Sequence, residues 1–193
     1  MTGNVDAIRW REGLVFLALF TLSIPAANWM IGHVGTLCPP DSPCLVPVAP
    51  GLMAPSGVIM VGFALVMRDL VQRRLGLLWS VLAVLAGGLV SWAIAPPALA
   101  LASVVAFLVS EFADLAVYTP LQRRGLVLAV VASGLVGLLV DTVVFLKIAF
   151  GSLDFMAGQI VGKGWMILLA LPVIAWIRRR DERIGLTPAG ATP

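Results

Sequence analysis

The chain has 193 residues, of which 60% are hydrophobic and only 12% charged, with 19 Gly and 13 Pro. Soluble domains run at about 45–50% apolar and about 25% charged. A mean hydropathy of +1.02 therefore excludes a soluble globular domain, a disordered chain and a coiled coil. One histidine, His33, and two cysteines, Cys38 and Cys44, argue against a Cys/His zinc site or a His-based triad, and no metal or cofactor is expected.

A bilayer core of about 30 Å needs about 20 helical residues. Six apolar runs meet that need: 14–32, 56–71, 75–95, 98–119, 126–150 and 158–177. The predicted fold class is all-α, a polytopic membrane protein with one six-helix transmembrane domain. Arg9 and Arg11 precede the first run, and Arg73 and Arg74 separate the second from the third. Arg123 and Arg124 separate the fourth from the fifth, and Arg178, Arg179, Arg180 and Arg183 follow the sixth. The alternate connections, 33–55, 96–97 and 151–157, hold no Lys or Arg. This one-sided distribution predicts six spans with both termini cytoplasmic. It also accounts for the isoelectric point of about 9.4, so no nucleic-acid partner is expected. The first run is too long for a cleaved signal, and removing it would break the charge alternation, so it is read as a retained helix. The Pro/Gly/Ala-rich segment 185–193 is expected to be a disordered tail.

Cys38 and Cys44 fall in the one long external connection, HVGTLCPPDSPCLVPVAPGLMAP. A disulfide clipping that Pro-rich loop is the expected reading on an oxidising face. A redox-active pair would need closer spacing and a second pair.

Seven charged residues lie inside the runs: Arg68, Asp69, Glu111, Asp114, Asp141, Lys147 and Lys163. A charge at a helix centre costs about 2.5–3.5 kcal/mol on insertion scales, and such residues face one another or an aqueous path. Glu111 lies 12 residues before Arg123, about 18 Å above the basic boundary and near the midplane. With Asp114 and Tyr118 it follows i, i+3, i+7 spacing, on a face shared with Ser103 and Phe107. That stripe reads as a solute site, against the alternative of polar residues that only pack helices. Asp141 and Lys163 fall about 25 and 22 Å from the same boundary on consecutive antiparallel helices, which predicts an ion pair. Whether the pair is structural or binds ligand stays open. Gly134, Gly137 and the Gly158-x-x-x-Gly162 spacing suit close packing of the fifth helix on the sixth. Arg68 is expected to snorkel, Asp69 to pair with Arg73, and Lys147 to reach the outer boundary. Asn28 ends the first run and serves a ligand or a neighbouring helix. The six tryptophans suit an aromatic belt.

No phosphate loop, metalloprotease signature or nucleophile elbow is present, so an enzyme is not expected. Mid-membrane carboxylates suit a carrier of a solute rich in N–H donors, such as a guanine-like edge. Phe107 or Tyr118 could stack on such a ring.

The segments PSGVIMVGFALVMRDLVQRRLG, ASVVAFLVSEFADLAVY, ASGLVGLLVDTVVFLKIAFG and VGKGWMILLALPVI carry a resemblance. In these spans, and in that order, the chain resembles the vitamin uptake transporter family, the bacterial queuosine precursor transporters (YhhQ-like), over about Asn28 to Pro172. The resemblance implies a six-helix carrier in the bacterial cytoplasmic (inner) membrane. Its solute would be a 7-deazaguanine nucleobase, chiefly 7-cyano-7-deazaguanine. It implies Asn28, Asp69, Glu111, Asp114, Asp141 and Lys163 as substrate-site candidates, alongside Phe107 and Tyr118 from the stripe. The expected partners are the small-molecule nucleobase and the lipid bilayer, with a homodimer left open. The main alternative is the substrate-binding S-component of an energy-coupling-factor importer, although residues 14–32 lack the Ala-x-x-x-Ala docking spacing. The other is an assembly protein in which the charges only pair.

Overall fold

The computed structural model describes residues 2–40 and 42–189, and in them six helices form one bundle. They are α1 (Thr2–His33), α2 (Val58–Leu75), α3 (Leu77–Ile94), α4 (Ala100–Leu121), α5 (Leu126–Phe150) and α6 (Met156–Ile184). Five of them, α1 and α3 to α6, are long and apolar enough to cross a membrane. Their exposed faces carry Leu22, Leu78, Leu89, Leu101 and Leu169, the outward apolar surface a lipid environment accepts.

α2 differs. Its second half holds Arg68, Asp69, Gln72, Arg73 and Arg74, which lowers its hydropathy, yet all five are buried. The reason is position: α2 is central and touches every other helix. Its polar side chains meet helix partners, so Arg68 does not snorkel as expected from its place near a span end.

The helix ends follow simple chemistry. Gly76, at φ 93°, alone separates α2 from α3, a conformation that only glycine takes without strain. α1 starts well before the apolar run, and α6 continues well past its own. Each added stretch carries charges that find partners on the other, described below. Segment 185–189 is not a loose tail: Leu186 is buried, and the Ala189 N–H donates to the Arg73 carbonyl at 3.0 Å. Residues 190–193 of the expected tail lie outside the described residues.

The long connection after α1 contains a hairpin that the apolar count did not foresee. β1 (Leu45–Ala49) pairs antiparallel with β2 (Leu52–Pro55), with an irregularity between Pro47 and Ala49. Proline is tolerated at such a break in the ladder. Gly51, at φ 73°, completes the turn after Pro50. Cys38 and Cys44 are joined in a disulfide. The loop is sewn to the end of α1: Cys44 N–H donates to Ile31 O at 2.8 Å, and Ser56 Oγ donates to Met30 O at 2.7 Å. Across the hairpin, Trp165 Nε1 donates to Val48 O at 2.9 Å.

The Gly158-x-x-x-Gly162 face packs differently from expectation. A Cβ at Gly158 would meet Met53 O of the hairpin at 2.1 Å, and one at Gly162 would meet Val58 of α2 at 2.9 Å. This face therefore admits β2 and α2, not α5. Gly134 does lie against Ile167 of α6, whereas Gly137 lies against Leu65 of α2 and Asp114 of α4.

Candidate functional site

Two buried charge clusters and a cavity between them form the polar interior. In the first, Arg68 of α2 is fully buried and gathers three carboxylates. Its Nε donates to Glu111 Oε2 at 3.0 Å, its Nη1 lies 2.8 Å from Asp69 Oδ1, and its Nη2 pairs with Asp114 Oδ1. Only the Glu111 contact has hydrogen-bond geometry; the other two are ion pairs. A guanidinium fork can serve several acceptors at once because its five N–H donors are fixed in one plane. Asp69 also accepts from Ser133 Oγ of α5 at 2.9 Å. Tyr118 is fully buried, with the Arg68 guanidinium 5.8 Å from its ring centroid.

In the second cluster, Lys163 of α6 donates to Asp141 Oδ2 at 2.6 Å, Thr142 Oγ1 at 2.8 Å and Gln159 Oε1 at 2.5 Å. Asp141 and Thr142 are on α5, and Gln159 is one turn before Lys163. An ammonium has three donors, so all are used.

Between the clusters lies a cavity of about 80 Å³, lined by Asn28, Phe107, Glu111, Asp141, Gln159 and Lys163 together with apolar side chains such as Ile24 and Val61. A single water needs about 10–15 Å³ on this measure, so the space exceeds a water pocket. Glu111 is engaged only through Oε2 and Asp141 only through Oδ2. Among the described residues no hydrogen bond or ion pair reaches Glu111 Oε1 or Asp141 Oδ1. The cavity therefore has two carboxylates, each oriented by a cation through one oxygen and holding the other in reserve.

Both clusters fall within residues 55–177, which match the family model described as "Putative vitamin uptake transporter"; the α1 residues that line the cavity, Asn28 among them, lie outside the match. The chain belongs to this family. No curated protein and no solved structure matches it. The family is one of transporters, and with five long apolar helices this member is a multi-pass membrane protein.

The sequence candidates divide into two groups in this family member. Asn28, Phe107, Glu111, Asp141 and Lys163 line the cavity. Asp69, Asp114 and Tyr118 do not; they pack around Arg68, which does not line the cavity either. Tyr118 has no exposed surface on which a ring could stack, while Phe107 borders the cavity and stacks on Phe20 at 6.1 Å. Asn28 Nδ2 donates to Ile24 O in its own helix at 3.0 Å, which leaves its carbonyl oxygen available.

Asp69 does not pair with Arg73. Arg73 and Arg74 instead both grip Asp181 of α6, at 2.7 and 2.8 Å. Arg74 also holds Glu12 of α1 at 2.9 Å, and Arg180 pairs with Glu12. The basic flanks of α2 and α6 read in the sequence as orientation signals, with Arg73 expected to meet Asp69, and neither reading points to Asp181 or Glu12 as partners. The available clue was an acid, Asp181, directly after three consecutive arginines.

Proposed function

We propose that this transporter imports a 7-deazaguanine precursor of queuosine, 7-cyano-7-deazaguanine or a close relative, across a bacterial inner membrane. In this reading all six helices span and both termini are cytoplasmic. The basic ends of α2 and α6 and the α4–α5 turn then lie inside, and the disulfide-bearing hairpin lies outside.

The observation that carries the reading is the pair of half-engaged carboxylates in the cavity. A guanine-like edge offers a ring N–H beside an exocyclic amino group, donors for which Glu111 Oε1 and Asp141 Oδ1 are free acceptors among the described residues. Charge-assisted hydrogen bonds of this kind are about twice as strong as neutral ones. Arg68 and Lys163 keep Glu111 and Asp141 oriented, so little is spent on ordering them when the solute arrives. Phe107 offers a ring face, and the apolar wall excludes water from the contacts. The family match supports a solute carrier. The choice of deazaguanine rests on the resemblance and on this match of donors to acceptors.

The test is queuosine formation in tRNA of cells lacking both de novo synthesis and their own carrier, expressing this chain and fed nanomolar 7-cyano-7-deazaguanine. Rescue is expected. Failure with the protein present in the membrane would reject the solute class.

A further inference from the structure

A second cleft, distinct from the central cavity, lies at the basic end of the bundle. It encloses about 630 Å³ between the α4–α5 turn and the end of α6, with Arg73, Arg123, Arg124 and Arg178 facing Asp181 and Glu182. Four arginines against two acids leave an excess of two positive charges. The imbalance is local: Asp181 is already taken by Arg73 and Arg74. Arg123 and Arg124 are exposed, and among the described residues their side chains make no ion pair or hydrogen bond. Arg178 touches Glu182 only at 3.5 Å, and its Nε, though shielded from solvent, has no hydrogen-bond partner.

Backbone chemistry adds to the side chains. Gly125 and Leu126, which begin the 25-residue helix α5, line the same cleft. No side chain caps this terminus, and no acid sits in its first turn. Its free amides and helix dipole favour an anion at the position the arginines surround. The level is that of the span ends, where headgroup phosphates lie in a bilayer, and basic pockets between transmembrane helices suit phosphate-bearing headgroups.

We propose that this cleft binds a phosphate-bearing anion, a lipid headgroup or a soluble phosphate, through Arg123, Arg124 and Arg178 and the α5 N-terminus. The site stands independently of the nucleobase reading, because it shares no residue with the central cavity.

The test is thermal unfolding of the purified full chain in neutral detergent with phosphatidylcholine, titrated separately with phosphatidylglycerol and with inorganic phosphate. Phosphatidylglycerol is expected to raise Tm. An R123Q/R124Q double variant should need about 30-fold more of it for the same rise, given about fivefold per arginine near a charged surface. Its Tm without added lipid should match the parent, since neither side chain holds the fold. R178Q is a second variant should the first express poorly, and R11Q, an exposed arginine on α1, should respond like the parent. A rise with inorganic phosphate alone keeps the site and makes the ligand soluble. No rise with either, or an unchanged response in R123Q/R124Q and R178Q, overturns the proposal.

Discussion

Gly62 of α2 lies directly against the backbone of Lys163 on α6: a Cβ there would sit 2.8 Å from the Lys163 carbonyl oxygen and 2.9 Å from its Cα. Both atoms are main chain, so no flexible side chain can swing aside. The contact sets the separation of two helices at the residue that orients Asp141. Gly62→Ala is expected to destabilise by about 1–3 kcal/mol through overpacking and to lower uptake by shifting Lys163. Gly164→Ala is the control, since nothing lies within 4 Å of a Cβ there. Paired Tm and uptake measurements distinguish the two; equal behaviour would refute the close-contact account.

Removing the centre of the first cluster should be severe. Arg68→Met leaves Asp69, Glu111 and Asp114 buried without their cation, and breaking such pairs costs about 3–5 kcal/mol. Arg68→Lys should fall between parent and Met, because one ammonium cannot reproduce a fork shared among three carboxylates. The fraction of protein recovered as a monodisperse peak from detergent would rank the three.

Glu111 and Asp114 are separated by one helical turn but by different roles. Glu111→Gln keeps the volume and can still accept from Arg68, yet it loses the carboxylate that borders the cavity. Uptake of the deazaguanine is expected to fall at least tenfold, about 1.4 kcal/mol, with the protein level maintained. Asp114→Asn should lower Tm with a smaller change in the uptake concentration dependence. The reverse pattern would move the solute contact to the Arg68 side.

Lys163 and Asp141 should behave as a coupled unit. Lys163→Met strands a buried carboxylate at a cost of about 3–5 kcal/mol, whereas Lys163→Met with Asp141→Leu removes both charges and should regain much of the lost stability. Uptake should not return in the double variant. Recovery of transport would show the pair to be structural only.

The hairpin clip can be tested with reductant alone. Cys38 and Cys44 are six residues apart, and closing so short a loop is worth about 2 kcal/mol in the chain-entropy account. A reductant should lower Tm of the parent and leave a C38S/C44S variant unaffected. A parent indifferent to reductant would mean that the backbone bonds from Cys44 and Ser56 to α1 suffice.

What the sequence disclosed follows from what a helix fixes. Rise per residue is constant, so counting from Arg124 and Arg178 put Asp141 and Lys163 at one level on neighbouring antiparallel helices, where they meet. Lateral order is not contained in such a count. Nothing in the spacing said that α2 would be enclosed, and so Arg68 was expected to reach for the boundary when it meets Glu111 and Asp114 of α4 instead. Asp181 was masked by the arginines around it. The hairpin was hidden by Pro47, Pro50 and Pro55, which obscure the alternation that marks strands, although Pro50-Gly51 was a readable turn signal.

The Asp181 lattice binds the basic ends of α1, α2 and α6 into one body, while α4 and α5 pack closely on each other. The seam between these two bodies is crossed by Arg68 and Gln72 reaching α4, by Ser133 of α5 reaching Asp69, and by Lys163 reaching α5. A rigid displacement of one body past the other would part Arg68 from Glu111 and Asp114 and Lys163 from Asp141, along with the Gln72 and Ser133 hydrogen bonds. In the proposed reading, a solute seated between Glu111 and Asp141 contacts the carboxylate partners of both cations at once.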